Sequence, residues 1–179
     1  MNHLKTKMNI FITEITTTWL DYPDDESVAI EVFFSGCDFR CKNCQNPEQQ
    51  ITDVSYRIEL EDAVKKITEE ANKNRTDKVV FVGGDSLSQK NREGSKKLLA
   101  VLSNLGFKVI LYTGYSIEKV KEFGITGAEF YKCGVFKEEE KNSFIGKTDT
   151  YISFASKNQI LYDKNYNQVS KDGVYYFSK

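Results

Sequence analysis

The sequence predicts an α/β protein, a partial, open βα barrel of mostly parallel strands carrying an antiparallel β appendage at its C-terminal end. Three observations carry this expectation. Short continuous apolar runs at Ala29–Phe34, Lys78–Val82 and Val109–Tyr112 read as strands buried on both faces. Stretches with apolar residues at helical spacing follow the first two runs, and strand–helix alternation of this kind marks right-handed βαβ units on a parallel sheet. About four such alternations are too few to close an eight-stranded barrel, so one side is expected to stay open.

Length and composition fit one domain spanning residues 1–179. A chain of 179 residues with 40% apolar content is long enough for a real core. The net charge is −1, with acidic and basic residues interspersed, so no broad basic face is offered to nucleic acid. No apolar run approaches the roughly 20 residues needed to span a bilayer. With no signal-peptide pattern either, the expectation is a soluble cytoplasmic protein without a membrane partner.

Taken in order, Met8–Leu20 carries Ile10, Phe11, Ile12, Ile15 and Thr16–Thr18, a β-rich composition that predicts an opening strand. His3 precedes it in an expected loose terminus, solvated rather than catalytic. Asp21–Ser27 is polar, without apolar period, and reads as a turn. Ala29–Phe34 is the first buried strand, and Ser35-Gly36 marks its end. Pro47–Tyr56 reads as irregular. Leu60, Ala63, Val64, Ile67 and Ala71 recur at helical spacing, predicting an amphipathic helix over roughly Glu59–Lys73. Lys78–Val82 is the second strand. Leu98, Leu99, Val101, Leu102 and Leu105 make the next helix, which Gly106 stops. Val109–Tyr112 ends at Thr113-Gly114, and Ser116 is placed to cap a short helix closed by Gly124. Ala128–Tyr131 reads as a fourth strand. In the tail, Gln159–Tyr162 and Val174–Phe177 look like strands, with Asp172-Gly173 as a turn, giving the antiparallel appendage.

The chemistry is concentrated just past the first buried strand. Cys37, Cys41 and Cys44, three of the four cysteines, are spaced C-x3-C-x2-C in a loop at a strand's carboxyl end, where α/β folds place their sites. Thiolates bind soft metals, and iron–sulfur clusters are normally held by four of them. Three on one short loop suit three corners of a cubane and leave the fourth iron open. A disulfide framework does not fit so few cysteines in this length. A structural zinc site with Cys133 as fourth ligand is the rival reading, although such sites more often use two C-x2-C pairs.

The cysteine spacing at a strand end resembles the cluster motif of the radical S-adenosylmethionine superfamily. Within it, Phe34-Ser35-Gly36-Cys37, Gly83-Gly84-Asp85-Ser86-Leu87 with Asn91, and Tyr112-Thr113-Gly114-Tyr115 look like the small activating enzymes of anaerobic ribonucleoside-triphosphate reductase. The resemblance covers roughly residues 28 to 150. It implies a [4Fe–4S] cluster on Cys37, Cys41 and Cys44, with S-adenosylmethionine completing the open iron. Gly83 and Gly84 would let backbone approach that ligand, and Asp85 stands where the superfamily has the glutamate of Gly-Gly-Glu on the methionine ammonium. Asn43 and Gln45 flank the last cysteine and are expected beside the cofactor. Thr113 either offers it a hydroxyl or is a simple turn residue. Arg40 and Lys42 are solvated or make the rim attractive to an acidic electron donor.

The implied activity is reductive cleavage of S-adenosylmethionine and formation of a glycyl radical on a partner, the large subunit of anaerobic ribonucleotide reductase. A flavodoxin or ferredoxin would supply the electron. A radical enzyme acting on a small molecule such as a deazapurine precursor, and a non-catalytic zinc-stabilised binding domain, are the alternatives. The chain departs from the family at Asp25-Glu26-Ser27-Val28-Ala29, in place of Gly-Pro-Gly followed by arginine. It departs again at Cys133-Gly134, in place of Asp-Gly, and at Phe144–Thr150, where only the glycine of a Gly-Ser-x-Asn-Gln stretch is kept.

Overall fold

The computed structural model describes residues 8–24 and 28–177. His3 and the departure at Asp25-Glu26-Ser27 therefore lie outside the described residues. Seven strands form a mixed central sheet in the order β3-β1-β2-β4-β5-β6-β9, and three more form a separate antiparallel sheet in the order β10-β8-β7. The central strands are β1 (Asn9–Thr18), β2 (Ala29–Phe34), β3 (Arg57–Glu59), β4 (Lys78–Gly83), β5 (Lys108–Thr113), β6 (Phe130–Cys133) and β9 (Ile160–Asp163). The small sheet is β7 (Gly146–Lys147), β8 (Tyr151–Ser153) and β10 (Val174–Tyr176). Strands β2, β4, β5 and β6 run parallel, while β1, β3 and β9 add antiparallel edges.

Three helices cross between the parallel strands: α1 (Leu60–Asn74), α2 (Arg92–Asn104) and α3 (Ile117–Glu122). Because the parallel strands follow one another in sequence order and such crossovers share one hand, the helices lie on one face of the sheet. Period-two alternation then divides each strand between two cores. Val79 and Phe81 of β4, Val109 and Leu111 of β5, and Ile30, Val32 and Phe34 of β2 meet Ala63, Ile67 and Ala71 of α1 and Leu98, Leu99 and Leu102 of α2. Ala29, Val80, Val82 and Ile110 face the other way and meet Ile152 and Phe154 from the small sheet. The molecule is thus helices, central sheet and small sheet in layers.

Most of the strand and helix expectations agree with this structure to within two residues. Helix α1 closes on Arg75, which takes a left-handed conformation at φ 53° and donates its N–H to Ala71 and Asn72. Ser116 caps α3 by accepting from the Lys119 N–H. The fourth parallel strand begins two residues later than expected and so includes Lys132. The tail needs a correction, because its two strands do not pair with each other. Strand β9 joins the central sheet beside β6, with Cys133 opposite Ile160, while β10 pairs with β8. Among the described residues no helix is long and apolar enough to cross a membrane.

Candidate functional site

The cysteine loop is fixed by backbone contacts that only glycine permits. Strand β2 ends at Phe34, and Gly36 turns the chain at φ 101°. Its N–H donates to the Gln49 carbonyl at 2.8 Å, and Cys37 N–H donates to Gln50 at 3.1 Å. From the end of β4, Gly84 N–H donates to Phe34 O and Asp85 N–H to Gly36 O, each at 2.8 Å. A Cβ on Gly84 would stand 2.4 Å from the Gly36 oxygen and 2.5 Å from that of Gln49. The Gly83-Gly84 pair is therefore explained by backbone docking of two loops.

Buried and polar side chains complete the clamp. Asn91 is fully buried; its amide donates to Ser35 O at 2.8 Å and its Oδ1 accepts from Phe11 N–H at 2.9 Å. Asp38 accepts from the Tyr115 hydroxyl at 2.6 Å and from Gln89 N–H at 2.8 Å. Phe39 packs its ring against Tyr115, centroids 4.8 Å apart, and over Gly114, where a Cβ would come within 2.5 Å of it. Loops from β2, β4 and β5 are thus locked together.

Cys37, Cys41 and Cys44 are half-buried free thiols in the wall of one cavity of about 370 Å³. Gly83, Gly84, Asp85, Thr113 and Gly114 form the adjoining wall, and β7 and β8 of the small sheet roof it. Burial pushes the Cys37 thiol up to about 11, and its sulfur accepts the Phe39 N–H at 3.4 Å. Among the described residues no three His, Cys, Asp or Glu side chains converge as a cage for a single ion. A cubane asks for something else, since each of its iron corners takes one thiolate. Three thiols on one cavity wall, with a backbone N–H on a sulfur, are a donor set of that kind. Cys133 lies elsewhere, 3% exposed in the helix-side core.

The remaining expected residues divide. Gln45 lines the cavity. Asn43 does not; it is exposed, at φ 53°, and its amide donates to Glu138, which also pairs with Lys42 at 2.9 Å. Asp85 lines the cavity but is 2% exposed, and protein donors occupy both of its oxygens. Oδ1 accepts from Leu87 N–H at 2.8 Å, Oδ2 from Gly114 N–H at 2.8 Å, and the Thr113 hydroxyl donates to the pair at 2.9–3.0 Å. Burial pushes Asp85 up to about 6 against the lowering by these three donors. The Thr113 hydroxyl is spent on this bond and on accepting Tyr115 N–H at 3.2 Å.

Among the cavity residues that the sequence did not point to, the charged ones on the central strands are the most consequential. Lys132 and Glu31 line the face of the central sheet away from the helices. A charged residue between the apolar neighbours of a buried strand was the available signal, in Ile30-Glu31-Val32 and in Tyr131-Lys132-Cys133.

A family model described as 4Fe-4S single cluster domain matches residues 26–162, most of the chain. No curated protein matches it.

Proposed function

The chain belongs to the 4Fe-4S single cluster domain family, and we propose that it is a radical S-adenosylmethionine enzyme that forms a glycyl radical on a partner, anaerobic ribonucleotide reductase. The observation that carries this reading is three thiols facing one cavity at the carboxyl ends of parallel strands. Cys37, Cys41 and Cys44 would hold the [4Fe–4S] cluster. When bound, the cluster and S-adenosylmethionine would supply one-electron reductive chemistry at the sulfonium.

The chain's own residues orient and enclose. Gln45 and the backbone of Gly83-Gly84 and Thr113-Gly114 wall the cofactor space, and Asp85 holds those two walls in register. Taken as an open βα barrel, the fold puts this space on the lumen side of the sheet. The cysteine loop sits at an exposed rim, with Arg40 and Lys42 in solvent and Ile145 37% exposed at the cavity edge. A flavodoxin or ferredoxin donor and a partner's glycine loop both have access there.

Anaerobic reconstitution tests the first step, with close to four irons and four sulfides per chain expected. Stoichiometric zinc without acid-labile sulfide would count for the binding-domain alternative. Electron paramagnetic resonance of the chain mixed with the reductase, deuterated at its glycines, tests the second. Deuterium in 5′-deoxyadenosine and a stable glycyl signal are expected. The roofed cavity with Lys132 in its wall favours a second reading, in which the hydrogen donor is a small molecule.

A further inference from the structure

Below the cysteine loop the cavity continues down the helix-free face of the central sheet. Phe33 stands opposite Val82 and Tyr112 opposite Lys132, all four in its wall. Glu31, two residues earlier on β2, and Asp21 line the same cavity. Lys132 is 8% exposed. Its ammonium faces the rings of Tyr112 at 4.9 Å and Phe154 at 5.8 Å and makes no hydrogen bond or ion pair with the described residues.

Lysine is almost never buried without a partner, and two ring faces offset only part of the cost of taking its charge out of water. Burial lowers Lys132 to about 8. Val82, Ile152 and Phe154 nearby form an apolar cluster that a methionine of similar length would extend. Asp21, Glu31 and Asp85 share the cavity without bonding to Lys132, so a buried ammonium with free N–H donors, aimed into a cavity, is placed to receive an anion.

We propose that Lys132 anchors a small-molecule subsite beneath the cysteine loop, its ammonium receiving the carboxylate of a substrate. This rests on the second reading above. S-adenosylmethionine also carries a carboxylate, but the thiols lie beyond the strand ends, whereas Lys132 lies within β6, level with Phe33 and Tyr112. The carboxylate is assigned to a second molecule on that difference in level, and competition with S-adenosylmethionine tests the assignment.

The test is saturation-transfer NMR on the full chain with acetate, using acetamide as the uncharged control, with and without reconstituted cluster. Acetate should receive saturation from the parent protein and acetamide should not. Lys132→Met should weaken acetate binding at least tenfold while melting no lower than the parent, since an unpaired buried charge is replaced by an apolar chain of similar volume. Equal acetate binding by both proteins, or a lower melting temperature for Lys132→Met, overturns the proposal. Acetate binding that persists at saturating S-adenosylmethionine supports a separate substrate, and its displacement overturns that assignment. Failure of the cluster reading would appear in the iron and sulfide content and would leave the acetate measurement on the cluster-free chain intact.

Discussion

Replacing Asp85 by asparagine keeps the side chain's size and removes one acceptor oxygen from the brace between the β4 and β5 loops. In the parent, three donors converge on the carboxylate: Leu87 N–H, Gly114 N–H and the Thr113 hydroxyl. The amide of Asp85→Asn presents one oxygen and one NH2, so at least one backbone N–H is left facing a donor. A buried donor left unsatisfied costs about 1–3 kcal/mol. For a domain of this length that is a fall in melting temperature of about 3 to 10 °C. The assay is thermal unfolding of the cluster-free chain, read by circular dichroism under reducing conditions without added S-adenosylmethionine. If Asp85 acted only on a ligand's ammonium, that melting point would not move. Ligand affinity alone would then drop by about ten- to a hundredfold. An Asp85→Asn protein that melts within a degree of the parent refutes the brace.

Other outcomes follow from the same contacts. Gly84→Ala forces a methyl group to 2.4 Å from the Gly36 oxygen, a backbone atom that cannot swing aside, so reconstituted iron per chain should fall to background. Cys133→Ser should keep its full iron content, because Cys133 lies in the helix-side core, and should lose about 1–3 kcal/mol in urea unfolding for a buried hydroxyl. Glu31 is pushed up from 4.5 to about 8, first by burial and then by Asp21 and Glu14. The folded state therefore holds a proton there that the unfolded chain releases above about pH 4.5, so this group's contribution to stability declines as pH rises from 4.5 to about 8. Glu31→Gln should flatten that decline in melting temperature, and an unchanged pH slope would place the effect on other groups.

The local pattern of the sequence was enough for the parallel strands, the helices between them and the cysteine loop at the end of β2. Those features are written in short-range signals: continuous apolar runs, helical spacing, and glycine where a positive φ is needed, as at Gly36 and Gly106. The cluster chemistry was legible for the same reason, since all three thiols sit in one short loop. What each site residue does was decided by partners distant in the chain. Asp85 finds Thr113 and Gly114 across 28 and 29 residues, and Asn91 finds Ser35 across 56. No local pattern reports such pairings, so Asp85 read as a ligand for an ammonium while the tertiary structure makes it a brace. The tail divided for a related reason. Its two strands were recognisable as strands, but which sheet edge each completes depends on the edges left open by β6 and β8. Lys132 shows the difference most plainly. Alternation places it on the opposite face from Tyr131 and Cys133, yet only the small sheet folded over that face turns an ordinary strand lysine into a buried cation with no ion pair among the described residues.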